Sequence, residues 1–212
     1  RTFALIMEFV EGRSLRTIVR NHAPLPLDTI TTILRAAGDA LSHAHAQGVL
    51  HKDMKPDNML LTDDGRLKII DFGIADLIDS ASHAHYIVGT PCYMSPEQAR
   101  GKKVLIDHRT DVYSLGATLY EMTTLRPPFK GKNDKDTLSR IMLDDPVPPK
   151  KRNARIPRDL ETIILKCLRK EPVDRYETAE AMAQDLRRFA RGDPIEARPQ
   201  SSFEKFARRI KR

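Results

Sequence analysis

The stretch "HKDMKPDNML", residues 51–60, gathers His51, Lys52, Asp53, Lys55, Asp57 and Asn58 into eight positions and then turns apolar. Two carboxylates, two ammonium groups, a histidine and an asparagine packed beside an apolar run raise the question of what chemistry needs so many opposed charges at one place. The segment that follows, "NMLLTDDGRLKIID" (58–71), reads as two short apolar strands around Asp64-Gly65, a dipeptide that favours a two-residue hairpin turn. With Asp64 and Gly65 as the central turn residues, position 63 pairs with 66 and 62 with 67, and Asn58 falls opposite Asp71. Cross-strand partners hold their Cβ atoms roughly 4.5–5.5 Å apart, close enough for an amide oxygen and a carboxylate to share one cation. Magnesium fits such a pair, because it takes hard oxygen ligands and usually only one or two of them from protein.

Other elements must hold this loop and hairpin in place. Pro56 excludes a regular helix through 51–58, so that stretch is expected as a loop. Before it, "FALIMEFV" (3–10) reads as a buried strand, and Ser14 caps a short helix ending near Asn21. Asp28 is the expected N-cap of a long helix with Ile30, Ile33, Leu34, Ala37, Leu41 and Ala44 on one face, closed by Gly48. After the hairpin, 74–97 lacks periodicity and reads as an extended surface loop. From Asp111 the positions Val112, Leu115, Leu119 and Met122 predict a buried helix, and further helices are expected near 134–144, 158–169 and 177–190. The fold class is α+β and mainly α-helical. His43, His45, His83 and His85 fit neither metal-ligand spacing nor a catalytic triad, so helix-surface and loop positions are expected for them.

The 212 residues suffice for one domain with a tail, and 40% apolar with 31% charged content is that of an ordinary globular chain. No apolar run approaches the ~18 residues of a membrane span. Two distant cysteines, Cys92 and Cys167, read as buried reduced thiols in a cytoplasmic setting. Of the net charge of +7, most lies from Arg187 onward, where nine basic residues stand against three acidic ones. The body is nearly neutral. Without interleaved aromatics or a reading motif, the basic tail does not point to nucleic acid; it reads either as solvated or as a contact with an anionic membrane surface. The chain starts at Arg1 directly on an apolar run, which reads as a piece of a longer polypeptide.

Taken in order, "HKDMKPDN" (51–58), "DFG" (71–73), "GTPCYMSPE" (89–97) and "DVYSLG" (111–116) make the chain resemble the catalytic C-lobe of the protein kinases over about residues 3–192. The stretches "DLETIILKCLRKEPVDRY" and "DLRRFARGDPIEARP" resemble bacterial serine/threonine kinases of the receptor-like kind. The resemblance implies a kinase-like C-lobe whose short β-hairpin carries the metal-binding residues. It also implies an organisation of 1–12 as the last N-lobe strand and hinge, 13–192 as C-lobe, and 193–212 as a basic juxtamembrane-like tail.

Roles follow from the same resemblance. It makes Asp53 the base that orients the acceptor hydroxyl, Lys55 the point charge on the transferred phosphoryl group, and Asn58 and Asp71 the magnesium ligands, with ATP as donor. Met7 is implied as gatekeeper, the Glu8 carbonyl and Val10 amide as contacts to the purine edge, Leu60 as the floor beneath it, and Ser14 as a neighbour of the ribose. His51 and Phe72 become packing residues that align the loop and the metal-binding aspartate, and Asp111 ties the His51 backbone to the buried helix. Glu97 and Arg175 form a buried ion pair. Lys55 and Thr90 together imply serine and threonine hydroxyls of proteins as acceptors, with Thr90 shaping the acceptor site. Ser80, Ser82 and Thr90 are candidate phosphosites.

The sequence departs from the family pattern in three places. Lys52 stands where most members have arginine, which removes a bidentate fork for a phosphorylated loop. Ser95 replaces the usual alanine. The glycine-rich loop and strand lysine would lie before Arg1, so the 212-residue chain alone is expected to bind ATP weakly and turn over poorly. Two alternatives remain open at this stage: a pseudokinase scaffold, and a small-molecule phosphotransferase that shares the aspartate, asparagine and aspartate layout.

Overall fold

Helical spacing of apolar residues dictates which faces must be covered, and one helix ends up covered on every side. The structure, a computed structural model, describes residues 8–72, 91–101 and 106–199. Its helices are α1 (Leu15–His22), α2 (Leu27–Ala46), α3 (Pro96–Ala99), α4 (Arg109–Thr124), α5 (Asp134–Leu143), α6 (Pro149–Arg152), α7 (Arg158–Cys167) and α8 (Ala179–Arg191). Short 3-10 turns occur at Pro56–Asn58, Pro91–Tyr93 and Pro172–Asp174. Strands β1 (Arg13–Ser14), β2 (Met59–Leu61) and β3 (Leu67–Ile69) form one antiparallel sheet in the order β1-β2-β3. The described residues are thus mainly helical with a small antiparallel sheet.

Helix α4 is the centre, buried without a break from Thr110 to Tyr120. Two of its buried hydroxyls are satisfied by the helix's own backbone: Thr118 donates to the Ser114 carbonyl at 3.0 Å and Thr123 to that of Leu119 at 2.8 Å. Helix α7 crosses it at Gly116, where an added Cβ would sit 2.3 Å from the Cys167 Cβ. Only glycine permits that approach. Helix α2 lies against α4 and α8 and buries Ile30, Ile33, Leu34, Ala37 and Leu41, each full burial of a large one contributing roughly 1.5–3 kcal/mol. Both cysteines are buried free thiols, and burial pushes Cys167 up to about 12.

Four expectations need correction. Helix α2 starts at Leu27 with Pro26, not Asp28, at its N-cap. The Pro26 carbonyl already accepts the Ile30 N–H at 3.1 Å, so Asp28 sits in the first turn, where its charge favours the helix dipole. Residues 8–10 are not strand, and Phe9 is exposed; residues 1–7 lie outside the described residues. The 91–97 segment is buried rather than a surface loop, with Tyr93, Ser95 and Glu97 all inside. His45 is likewise no surface residue, since its Nε2 meets the buried Asp111 carboxylate at 2.8 Å.

The hairpin forms, but one residue out of the expected register. Met59 pairs with Ile69, Leu60 with Lys68 and Leu61 with Leu67. The Gly65 N–H donates to the Thr62 carbonyl and Thr62 N–H to that of Arg66, both at 2.9 Å, with Gly65 at φ 80°. That is a three-residue loop ending in a left-handed glycine, the next commonest hairpin connection after the two-residue turn. Asn58 therefore lies opposite Ile70, whose N–H donates to the Asn58 carbonyl at 3.0 Å, and not opposite Asp71.

After α8, Gly192 turns the chain and Asp185 pins it. The buried Asp185 carboxylate accepts from the N–H groups of Glu196 and Ala197 at 2.8 and 2.9 Å and from the Tyr176 hydroxyl at 2.7 Å. Among the described residues no helix is long and apolar enough to cross a membrane. The tail from 200 onward lies outside them.

Candidate active site

The loop carrying Asp53 is held from below by α4. Asp111, in the first turn of that helix, accepts the His51 N–H on Oδ2 at 2.9 Å and the Lys52 N–H on Oδ1 at 2.7 Å. Gln98, the third residue of the capping box that Ser95 opens at α3, donates to the Lys52 carbonyl at 2.7 Å. Lys52 itself has φ 64°, a left-handed conformation that a non-glycine residue adopts only under such constraint.

The imidazole of His51 is fixed at both nitrogens. Nδ1 accepts the Asp53 N–H at 3.2 Å, so Nε2 carries the proton and donates to the Ile70 carbonyl at 2.8 Å. Burial, which disfavours the imidazolium, lowers its pKa below the ordinary histidine value. The ring packs on Phe72 with centroids 4.6 Å apart. Between Ile70 and Phe72, Asp71 has φ 64°, a second strained position of the kind that concentrates at functional sites.

The chemistry-bearing side chains converge above this base. The Asn58 amide donates from Nδ2 to the Asp53 carbonyl at 2.8 Å and to Asp53 Oδ2 at 3.1 Å. Lys55 Nζ reaches the same Oδ2 at 2.5 Å. Asp53 remains 44% exposed, so its carboxylate keeps an open side. With Nδ2 committed to Asp53, the Asn58 oxygen is free of that contact and available as an acceptor. Asp71 is the second residue after β3, and Asn58 the last before β2. The two therefore flank the hairpin's open end rather than sit across one rung of it.

The other expected contacts are placed as follows. Leu60 is half-buried and pairs in register with Ser14. Ser14 Oγ accepts the Thr17 N–H at 3.2 Å as the cap of α1. Glu8 meets Lys68 of β3 at 2.9 Å, and Val10 is half-buried beside it in sequence. Met7, Gly73, Ser80, Ser82 and Thr90 lie outside the described residues.

Glu97 and Arg175 form the expected ion pair, bidentate with both N–O distances 2.7 Å. Arg175 also donates to the carbonyls of Arg169, Arg109 and Lys170, and Thr110 donates to Glu97 at 3.0 Å. Burial alone would raise the Glu97 carboxyl, yet the arginine holds it below the ordinary value. One cluster had no motif to announce it. Arg16 of α1 meets Asp57, Glu121 and the Tyr93 hydroxyl together, across separations that no local pattern encodes.

Comparison with known proteins now bears on these residues. The protein kinase domain family matches over residues 1–186. The chain belongs to the protein kinase family. It is 41% identical over 196 residues to the serine/threonine-protein kinase PknB of Mycobacterium leprae, covering 91% of this chain and 31% of that protein. A probable serine/threonine-protein kinase of Clostridium perfringens is 40% identical over 192 residues, covering 90% and 28%. Among solved structures, Rad53 1–466 in complex with AMP-PNP superposes with a TM-score of 0.70 at 29% identity, over 85% of this chain and 45% of that one. This member of the kinase family spans about a third of the length of the curated relatives it matches.

Proposed function

We propose that this chain is the C-lobe of a serine/threonine protein kinase that, in the intact protein, transfers the γ-phosphate of ATP to serine and threonine hydroxyls of proteins. The observation that carries the reading is the double grip on Asp53. Asn58 and Lys55 both bind Oδ2, which aims the remaining face of a half-exposed carboxylate outward. In that setting Asp53 orients the acceptor hydroxyl and takes its proton, a task that needs a positioned and accessible oxygen. Lys55 supplies a compact positive charge beside the transferring group.

The donor set also fits a magnesium ion. Asn58 and Asp71 offer hard oxygens at the mouth of the hairpin, and these two would hold the metal, which when bound neutralises charge on the phosphates. Among the described residues no group of three or more histidine, cysteine or acidic side chains could hold a metal ion. A two-ligand site suits a cation shared with nucleotide phosphates. The strained φ of Asp71 supports a functional reading of that residue.

Residues 1–12 would be the last N-lobe strand and hinge, with Met7, Glu8, Val10 and Leu60 around the purine and Ser14 beside the ribose; 13–192 would form the C-lobe. Thr90 would shape the acceptor site, and Ser80, Ser82 and Thr90 would take regulatory phosphates. The 193–212 segment would meet an anionic membrane surface from the cytoplasmic side. The test is phosphoryl transfer by the intact protein from labelled ATP to a serine/threonine peptide library, with and without magnesium. Magnesium-dependent labelling of peptides that disappears in Asp53→Asn supports the reading. Nucleotide binding without transfer would replace it with the pseudokinase scaffold, and transfer to small molecules alone with the phosphotransferase alternative.

A further inference from the structure

Arg16 occupies a place that its neighbours make unusual. Its guanidinium lies 2.9 Å from Glu121 Oε1 and 3.4 Å from Oε2, and its Nε is 3.3 Å from Asp57 Oδ2. Another arm donates to the Tyr93 hydroxyl, which in turn donates to Glu121. Four elements thus meet at one side chain: the first turn of α1, the Pro56–Asn58 turn, the Pro91–Tyr93 turn and α4. Two of the partners belong to segments that carry the candidate chemistry. Asp57 lies between Lys55 and Asn58, and Tyr93 stands three residues beyond Thr90.

Two carboxylates converging beside an acceptor site would make a notch for a guanidinium or ammonium group. Asp57 is 48% exposed and Glu121 13%, so the pair meets solvent on the Asp57 side and is mostly buried on the Glu121 side. Partial burial alone would weaken the arginine's hold on its proton, but Glu121 and Tyr93 more than restore it. The notch is therefore filled, in charge and in hydrogen bonds, by the chain's own residue.

We propose that Arg16 is a specificity-determining residue: it occupies the Asp57–Glu121 notch from within and so denies that notch to a basic residue of the substrate peptide. The proposal rests on the kinase reading. Its consequence is a kinase indifferent to arginine near the acceptor hydroxyl. Removing the internal guanidinium leaves two uncompensated carboxylates, the arrangement that favours a basic partner.

The experiment compares the intact wild-type protein with Arg16→Gln on peptides sharing one acceptor serine. A single arginine is placed in turn at each flanking position, each peptide matched by its glutamine counterpart. For the wild type the ratio of kcat/KM, arginine over glutamine, should stay near one at every position. In Arg16→Gln it should rise about tenfold at one position, the size a close charge pair produces, and Arg16→Gln with Glu121→Gln should reverse the gain. Tyr93→Phe keeps the ring, removes one partner of the guanidinium, and should move the ratio the same way by a smaller factor, which keeps the proposal testable if Arg16→Gln folds poorly. Equal slowing of both peptides in the variants would make Arg16 a structural tie only and overturn the proposal. A wild type that phosphorylates the glutamine peptides but gives unchanged ratios in every variant would do the same while leaving the kinase reading intact. A wild type inactive on all peptides would remove that reading, and this inference with it.

Discussion

Around Asp53 the carboxylate is 44% exposed and answered by one lysine and one amide, whereas around Glu97 it is 3% exposed and meets both arms of an arginine. Both regions use opposite charges within hydrogen-bond distance, and they divide by what is left over. In the Glu97–Arg175 pair, Arg175 Nε, Nη1 and Nη2 all donate, and the surplus bonds go to the backbone carbonyls of Arg169, Lys170 and Arg109. Nothing remains for a ligand. In the Asp53 cluster the same economy stops short, with an open carboxylate face, an available amide oxygen and a strained aspartate at φ 64°. Unsaturated polar groups on a rigid base mark a site, and saturated ones mark a staple.

The sharpest way to break that contrast is to alter Asp53. Asp53→Asn should lower kcat in the intact protein by roughly 10²–10⁴-fold, the range for loss of a positioned proton acceptor, with little change in the unfolding midpoint. A steady-state assay and a urea titration on the same preparation check both halves. A large stability loss would mean that the open carboxylate is a structural group after all.

The staple should give the opposite signature. Glu97→Gln leaves Arg175 buried beside a neutral amide and should destabilise by about 3–5 kcal/mol, as breaking a buried pair from one side does. Urea unfolding reads this directly. Replacing both partners with apolar residues of similar volume should recover much of the loss, because the desolvation penalty disappears with the charges.

How legible each region was in the sequence follows the same division. The Glu97–Arg175 pair, the Asp111 tie and the Asp53–Lys55–Asn58 group were all placed by ordered motifs, and the amphipathic helices α2, α4, α7 and α8 by their periodicity. Three of the features that escaped show why. The hairpin register slipped by one because Asp-Gly signals a turn but does not say whether glycine is the second central residue or the left-handed one after it. Burial of 91–97 was invisible, since Tyr93, Ser95 and Glu97 are covered by α4 and by Arg175, far away in sequence. The Arg16 cluster joins residues up to 105 positions apart, and no window of local sequence contains such a pairing.

A smaller effect tests the joint between the two regions. Burial holds the His51 pKa below its ordinary value, and a histidine depressed in this way contributes stability that is present above the unfolded value and lost as pH falls. The loss should begin near the ordinary histidine value of 6.5 and continue downward, with a slope of at most about 1.4 kcal/mol per pH unit. Glu97 adds a separate loss in the same direction, below its ordinary 4.5. Unfolding midpoints measured from pH 8 to 5 should fall in wild type and flatten in His51→Phe.

The smallest effect concerns the hairpin that carries Asn58 and Asp71 at its mouth. Gly65 has φ 80° and an added Cβ would meet nothing within 4 Å, so Gly65→Ala tests backbone conformation free of any clash. The left-handed conformation should cost about 1 kcal/mol for a residue with a side chain. Asn at this position should recover part of that, since it tolerates left-handed backbone better than alanine. If the two-residue turn formed instead, with register moved by one, every side chain of β3 would change face. Ile69 would leave the core, and the stability loss would exceed the backbone term several-fold. A modest loss in Gly65→Ala with unchanged magnesium dependence therefore supports the three-residue loop, and a large one, accompanied by altered magnesium dependence, would mean that the rung joining Asn58 to Ile70 is what sets the position of Asp71.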